Sequence, residues 1–143
     1  MDIQIESILH GGSFKKLLDE ETGDLRQKYD MKKAELEILY FLSRCGQNNT
    51  STDIHYQLKM NRGHISQAMD SLCRRKYIIA IPDKTDRRFV HYEVSDSAQL
   101  IVEEIMKRRE EMNRRILEGI SAEELKVFRE VSGKIRRNIE NMI

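Results

Sequence analysis

Residues 61–88, NRGHISQAMDSLCRRKYIIAIPDKTDRR, constrain the fold more than any other stretch of the chain. Ile65, Ala68, Met69 and Leu72 recur at i, i+3, i+4 and i+7, which places four apolar side chains on one face of an α-helix. At about 100° per residue, Gly63, Gln67 and Arg74 fall opposite that stripe, flanked by Arg62, His64, Ser66 and Ser71. Two short strands are predicted next, over residues 77–81 and 89–94. In the second, Val90, Tyr92 and Val94 share one face and Phe89, His91 and Glu93 the other. Residues 82–88 between them are polar and read as a hairpin tip. A helix with one buried face that runs directly into a hairpin needs a helical scaffold behind it.

The flanking segments supply that scaffold. In residues 3–29, Phe14, Leu17, Leu18, Leu25 and Tyr29 follow helical spacing, with Ile8 ahead of them and Gly11 and Gly12 interrupting the start. Residues 33–45 predict a helix apolar over most of its girth, through Leu36, Ile38, Leu39, Tyr40, Phe41 and Leu42, which belongs at the centre of a domain. After the turn-forming CGQNNT, residues 50–60 predict a third helix. Thr50 and Asp53 are spaced for a capping box, and Ile54 and Leu58 face inward. Asn61 is placed to cap the helix that follows.

Beyond the hairpin, Ser95 is the expected cap of a fifth helix of about 22 residues, carrying Ile101, Ile105, Met112 and Ile116. Ser121 and Glu124 predict the start of a sixth, with Leu125, Phe128, Val131, Ile135, Ile139 and Met142 at threes and fours. The first, fifth and sixth helices carry more apolar stripe than a small lobe can cover. A second copy of the chain is the expected partner for them.

Composition narrows the class. With 34% charged and 6% aromatic residues and one proline in 143, a helical domain is favoured over a sandwich or barrel. No run of about 18 apolar residues marks a membrane span. The N-terminus lacks the basic region of a secretory signal, and two cysteines fit a reduced, cytoplasmic setting. The net charge of +1 hides an uneven distribution. Residues 59–92 carry eight basic and three acidic side chains, whereas residues 1–37 carry six basic and nine acidic. A local positive field of this kind is expected where a chain meets a polyanion.

Three motifs, in this order, resemble the MarR family of winged-helix regulators, and the resemblance covers nearly the whole chain. Residues 50–72 are similar to the family's helix-turn-helix register. Asp83-Lys84-Thr85-Asp86-Arg87-Arg88, followed by alternating strand residues and Ser95, resembles the family's wing. Ser121-x-x-Glu124 with Leu125 resembles the start of its final helix. Lys76 stands where the family usually carries a glycine, Gly63 where it usually carries a serine, and His55 where it usually carries an alanine.

The resemblance implies a single domain that is mainly α with a small β-hairpin. A winged helix-turn-helix lobe would span about residues 33–94, and dimerisation helices would lie at 3–29 and 95–143. It further implies a homodimer that binds double-stranded DNA at a pseudo-palindromic operator and represses or activates transcription, repression being the expectation. Such regulators are often controlled by a small-molecule effector, whose identity here is unknown.

On that footing, the exposed helical face supplies the reading residues. Gln67 is placed for a bidentate contact with adenine, Arg62 for guanine or phosphate, and His64 and Ser66 for bases or backbone. By the resemblance, Arg88 enters the minor groove, with Asp86 two residues earlier to hold it. Arg74, Arg75, Lys84 and Arg87 are expected to meet phosphates, which position a protein without choosing a sequence.

No nucleophile elbow or metal motif orders the polar residues, and His10, His55, His64 and His91 are scattered. Neither catalysis, a metal nor a cofactor is expected. Cys73, beside Arg74 and Arg75, is a candidate redox handle, although a small buried side chain is the plainer expectation for it. An effector pocket is expected between the first helix, the fifth helix and the helix-turn-helix lobe, lined by Tyr29, Tyr40, Phe41 and Met69. The alternative is a winged-helix module that turns its basic face to an acidic protein partner. That reading calls for an exposed apolar patch, for which Phe89 is the clear candidate.

Overall fold

In a computed structural model of the chain, residues 12–143 are described. Ile8, His10 and Gly11, and with them the start of the first expected helix, lie outside the described residues. The elements are α1 (Gly12–Lys28), α2 (Lys33–Leu42), α3 (Ser51–Leu58), α4 (Arg62–Arg74), β1 (Ile78–Pro82), β2 (Val90–Val94), a 3-10 turn (Asp96–Ala98), α5 (Gln99–Ile116) and α6 (Ala122–Met142). The fold is mainly α with one two-stranded antiparallel hairpin, in which Ile78 pairs with Val94 and Pro82 with Val90. An isolated bridge from Thr50 to His91 adds the turn before α3 to the hairpin's edge. Two compact units divide the chain: Thr22–Lys107, and a second in which Arg108–Ile143 joins the N-terminal residues.

The unit Thr22–Lys107 has its core where the helical spacing places it. Ile38 and Leu39 of α2, Ile54 of α3, and Ile65 and Leu72 of α4 are fully buried. Ala68, Met69, Ile78, Ala98, Ile101, Val102 and Ile105 belong to the same cluster. Each fully buried aliphatic side chain contributes about 1.5–3 kcal/mol relative to exposure.

Local chemistry sets the helix ends. Thr50 Oγ1 accepts from Asp53 N at 3.2 Å, and Asp53 Oδ2 accepts from Thr50 N at 3.1 Å, so the capping box closes in both directions. Asn61 Oδ1 accepts from Gly63 N at 2.7 Å and caps α4. A Cβ at Gly63 would stand 3.0 Å from that oxygen, which is a physical reason for glycine at the first turn. Ser121 Oγ accepts from Glu124 N at 3.1 Å and starts α6.

Several boundaries differ from the sequence expectation. α2 stops at Leu42, three residues early, and Ser43 is exposed. Each strand begins one residue later than expected, so Tyr77 and Phe89 lie outside the ladder. α5 runs for 18 residues, and Ser95 does not cap it. The Ser95 and Ser97 hydroxyls both donate to the carbonyl oxygen of Lys76 instead.

Lys76 itself ends α4 in the left-handed region, at φ +61°. Tyr77 N bonds Leu72 O at 2.9 Å and Lys76 N bonds Cys73 O at 3.0 Å, the paired bonds of a Schellman stop. The motif therefore forms without the usual glycine, and the side chain strains the backbone. Lys76→Gly is expected to raise stability by about 1 kcal/mol. Urea unfolding of the two proteins checks this, and an unchanged or lower midpoint refutes it.

Candidate nucleic-acid interface

The face of α4 opposite its buried stripe is polar and open. Arg62, Gly63, His64, Ser66, Gln67, Asp70 and Arg74 are all exposed. Glycine and serine keep part of this surface low, so the backbone can approach a groove closely. Ser71 departs from the expected outer face: it is half-buried and donates to Glu35 Oε2 of α2 at 3.3 Å.

Arg75 departs further. One guanidinium nitrogen donates to Asp30 O at 2.7 Å and to Glu35 Oε2 at 3.3 Å, and the other donates to Tyr29 O. The same group lies 4.9 Å from the centre of the Tyr77 ring. Arg75 thus joins the end of α4 to the carbonyls that close α1 and to the buried carboxylate of Glu35. Both terminal guanidinium nitrogens are thus engaged within the protein, whereas Arg74, also expected at a phosphate, is exposed.

The hairpin tip is ordered by its own side chains. Asp83 Oδ2 accepts from Thr85 N at 3.0 Å, Thr85 Oγ1 at 2.8 Å and Asp86 N at 2.9 Å, an Asx turn. The Asp86 carboxylate then takes Arg88: Nη2 to Oδ2 at 2.8 Å, Nε to Oδ1 at 3.0 Å, and Arg88 N to Oδ1 at 3.0 Å. The contact is the two-toothed arginine–carboxylate form. Arg88 lowers the Asp86 pKa from its ordinary value, and Asp86 raises that of Arg88. The Arg88 side chain remains 86% exposed, and Lys84 and Arg87 are exposed beside it.

The wing also shows apolar groups that sequence reasoning passed over. Ile79 and Ile81 share a strand face and are 52% and 37% exposed, alongside Phe89 at 49%. Alternation predicts which residues share that face but not whether anything covers it.

Neither cysteine is activated. Both are free, and burial raises the pKa of each thiol, with Asp70 adding to the effect at Cys73. Of the two arginines expected beside Cys73, Arg75 turns toward α1 and Arg74 is exposed. Tyr29, Tyr40 and Phe41 pack against the core and Met69 lies within it. A polar crevice of about 460 Å³ opens elsewhere, lined by Asp30, Met31, Lys32, Glu35, Ser71, Arg74 and Arg75. Among the described residues, no group of three or more His, Cys, Asp or Glu side chains is placed to hold a metal ion, and no helix is long and apolar enough to cross a membrane.

A helix pair that presents a polar second helix, with an arginine-tipped hairpin at its side, defines a winged helix-turn-helix protein. Residues 31–98 match the family described as winged helix DNA-binding domain. The chain is 24% identical over 145 residues to the HTH-type transcriptional regulator PecS of Dickeya dadantii (strain 3937), covering 98% of this chain and 87% of that protein. Its fold is similar to that of FabT from Streptococcus pneumoniae, solved in complex with DNA, with TM-score 0.66 and 21% identity over 99% of this chain and 100% of that one. It is also similar to a MarR protein from Peptoclostridium difficile, with TM-score 0.71 and 17% identity over 99% of this chain and 91% of that one. The chain thus carries a winged-helix match over residues 31–98 and is similar in fold to these winged-helix proteins.

Proposed function

We propose that this protein is a homodimeric, sequence-specific DNA-binding transcriptional regulator of the cytoplasm, acting as a repressor at a pseudo-palindromic operator. The observation that carries the reading is the pairing of an open polar face on α4 with a wing arginine held by Asp86. α4 enters the major groove, where Gln67 meets adenine and Arg62 meets guanine or phosphate, with His64 and Ser66 beside them. Arg88 enters the adjacent minor groove, and Arg74, Lys84 and Arg87 meet phosphates.

α1, α5 and α6 join two copies. α6 supports this, because Phe128, Val131, Ile135 and Ile139 form a helical stripe that is 37–55% exposed in the single chain. Two-fold symmetry then sets two reading helices one DNA turn apart. A small-molecule effector releases the dimer from DNA. The protein performs no catalysis of its own.

Selecting genomic fragments that bind the purified protein tests the reading. A palindrome with half-sites about one helical turn apart is expected. Once the operator is known, Gln67→Ala is expected to lose about 1–3 kcal/mol of discrimination at one base pair per half-site, with little loss on duplexes already mismatched there. Titration against matched and mismatched duplexes reads this out, and an equal loss on every sequence removes Gln67 from the reading role.

Ile79, Ile81 and Phe89 favour a second reading, in which the wing docks an acidic protein partner. DNA binding that shows no salt dependence and no preference over random duplex would support it instead.

A further inference from the structure

His91 of β2 holds two oxygens at once. Its Nδ1 lies 2.6 Å from Asn49 Oδ1, and its Nε2 lies 2.7 Å from Asp83 Oδ1. Asn49 is buried in the turn before α3, and its carbonyl accepts from Tyr92 N at 3.0 Å. Asp83 uses its other oxygen to build the Asx turn that contains Asp86 N, and Asp86 holds Arg88. A continuous run of bonds therefore leads from the foot of the helix-turn-helix to the wing arginine.

We propose that His91 is the positioning residue for Arg88: it anchors Asp83, Asp83 sets the turn, and the turn aims the Asp86–Arg88 pair. The inference rests on the placement of Arg88 on DNA. An exposed tip has little apolar packing to order it, so binding would otherwise carry the entropy of fixing a long arginine. Anchoring at His91 removes part of that entropy before DNA arrives.

Asn49 Oδ1 and the Asp83 carboxylate are both acceptors, so the ring satisfies both only as an imidazolium; a neutral imidazole donates once. His91 holds the Asp83 carboxyl far below the ordinary carboxylate range, with help from Asp86 N and Thr85. Asp83 therefore stays ionised at neutral pH. Asp83 is the charged group bonded to the ring. Asn49, Thr50 and the paired Ile81 bring no charge, and Asp53 stands behind Thr50, bonded to its N and Oγ1.

The test is a double-mutant cycle on the selected operator duplex, with wild type, His91→Leu, Arg88→Ala and the double variant. His91→Leu is expected to weaken binding about tenfold when Arg88 is present and by less than about twofold when it is absent. His91→Gln, which keeps an N–H for Asp83, is expected to recover most of the loss. Thermal melts check each fold, and Asp83→Asn runs the same cycle should His91→Leu fail to fold. Equal losses in both backgrounds, or no loss with Arg88 in place, overturn the role of His91. An Arg88→Ala variant that binds as tightly as wild type overturns the placement of Arg88 on DNA instead.

Discussion

Arg88→Ala is expected to lower operator affinity by about 100-fold or more while leaving the fold intact. A single arginine set into a groove is worth about 1–3 kcal/mol. A two-fold dimer loses two of them, one from each wing. The Arg88 side chain stands 86% exposed and bonds only its neighbour Asp86, so its removal leaves the core packing untouched. Arg88→Lys separates two parts of the effect: lysine restores a charge for the salt-dependent term but not the planar fork that Asp86 grips. Binding isotherms at several salt concentrations, together with thermal melts, check the expectation. A Kd unchanged within about twofold would remove the wing from DNA recognition.

The second large effect is expected at α6. Val131→Glu with Ile135→Glu places two carboxylates in the stripe that also carries Phe128 and Ile139. Val131 and Ile135 are already 47% and 53% exposed, so the monomer tolerates the exchange. A dimer interface does not, because burying an unpaired carboxylate costs several kcal/mol. Sedimentation equilibrium is expected to show a monomer. Operator affinity is expected to fall by about 10²–10⁴, the gain that linking two half-site contacts provides. Both subunits would still be folded by circular dichroism. A variant that remains dimeric would place the interface off this stripe.

Short-range chemistry was the legible part of this fold. The buried stripe of α4, the Thr50–Asp53 box, the Asn61 cap and the Ser121 cap all lie within seven residues of their partners, and periodicity or spacing finds them. The links that position the candidate site span far more chain. Arg75 meets Tyr29 and Asp30 across 46 and 45 residues, Ser71 meets Glu35 across 36, and His91 meets Asn49 across 42. Composition around Arg75 reads as a basic patch because sequence does not say which way a long side chain turns. Ser95 shows the same limit at shorter range. Its hydroxyl had a helix terminus beside it and the Lys76 carbonyl 19 residues back, and only the packed geometry selects the second. Asp86 and Arg88, two residues apart and of opposite charge, could be paired from sequence because each has its partner close along the chain.

The choice of acceptors for Arg75 bears on how this protein can diverge. At the end of α1 it grips main-chain oxygens, those of Tyr29 and Asp30, rather than side chains. Every residue type carries such an oxygen, so the bond places no demand on which side chain occupies position 29. The demand falls on one end alone. A lysine there would have to serve the α1 carbonyls and Glu35 from a single nitrogen, where the guanidinium reaches them from two. Homologues that keep this tether should therefore hold arginine at position 75, while at position 29 only packing against the core restricts the side chain, an asymmetry that a comparison of related sequences would display without any experiment on the protein itself.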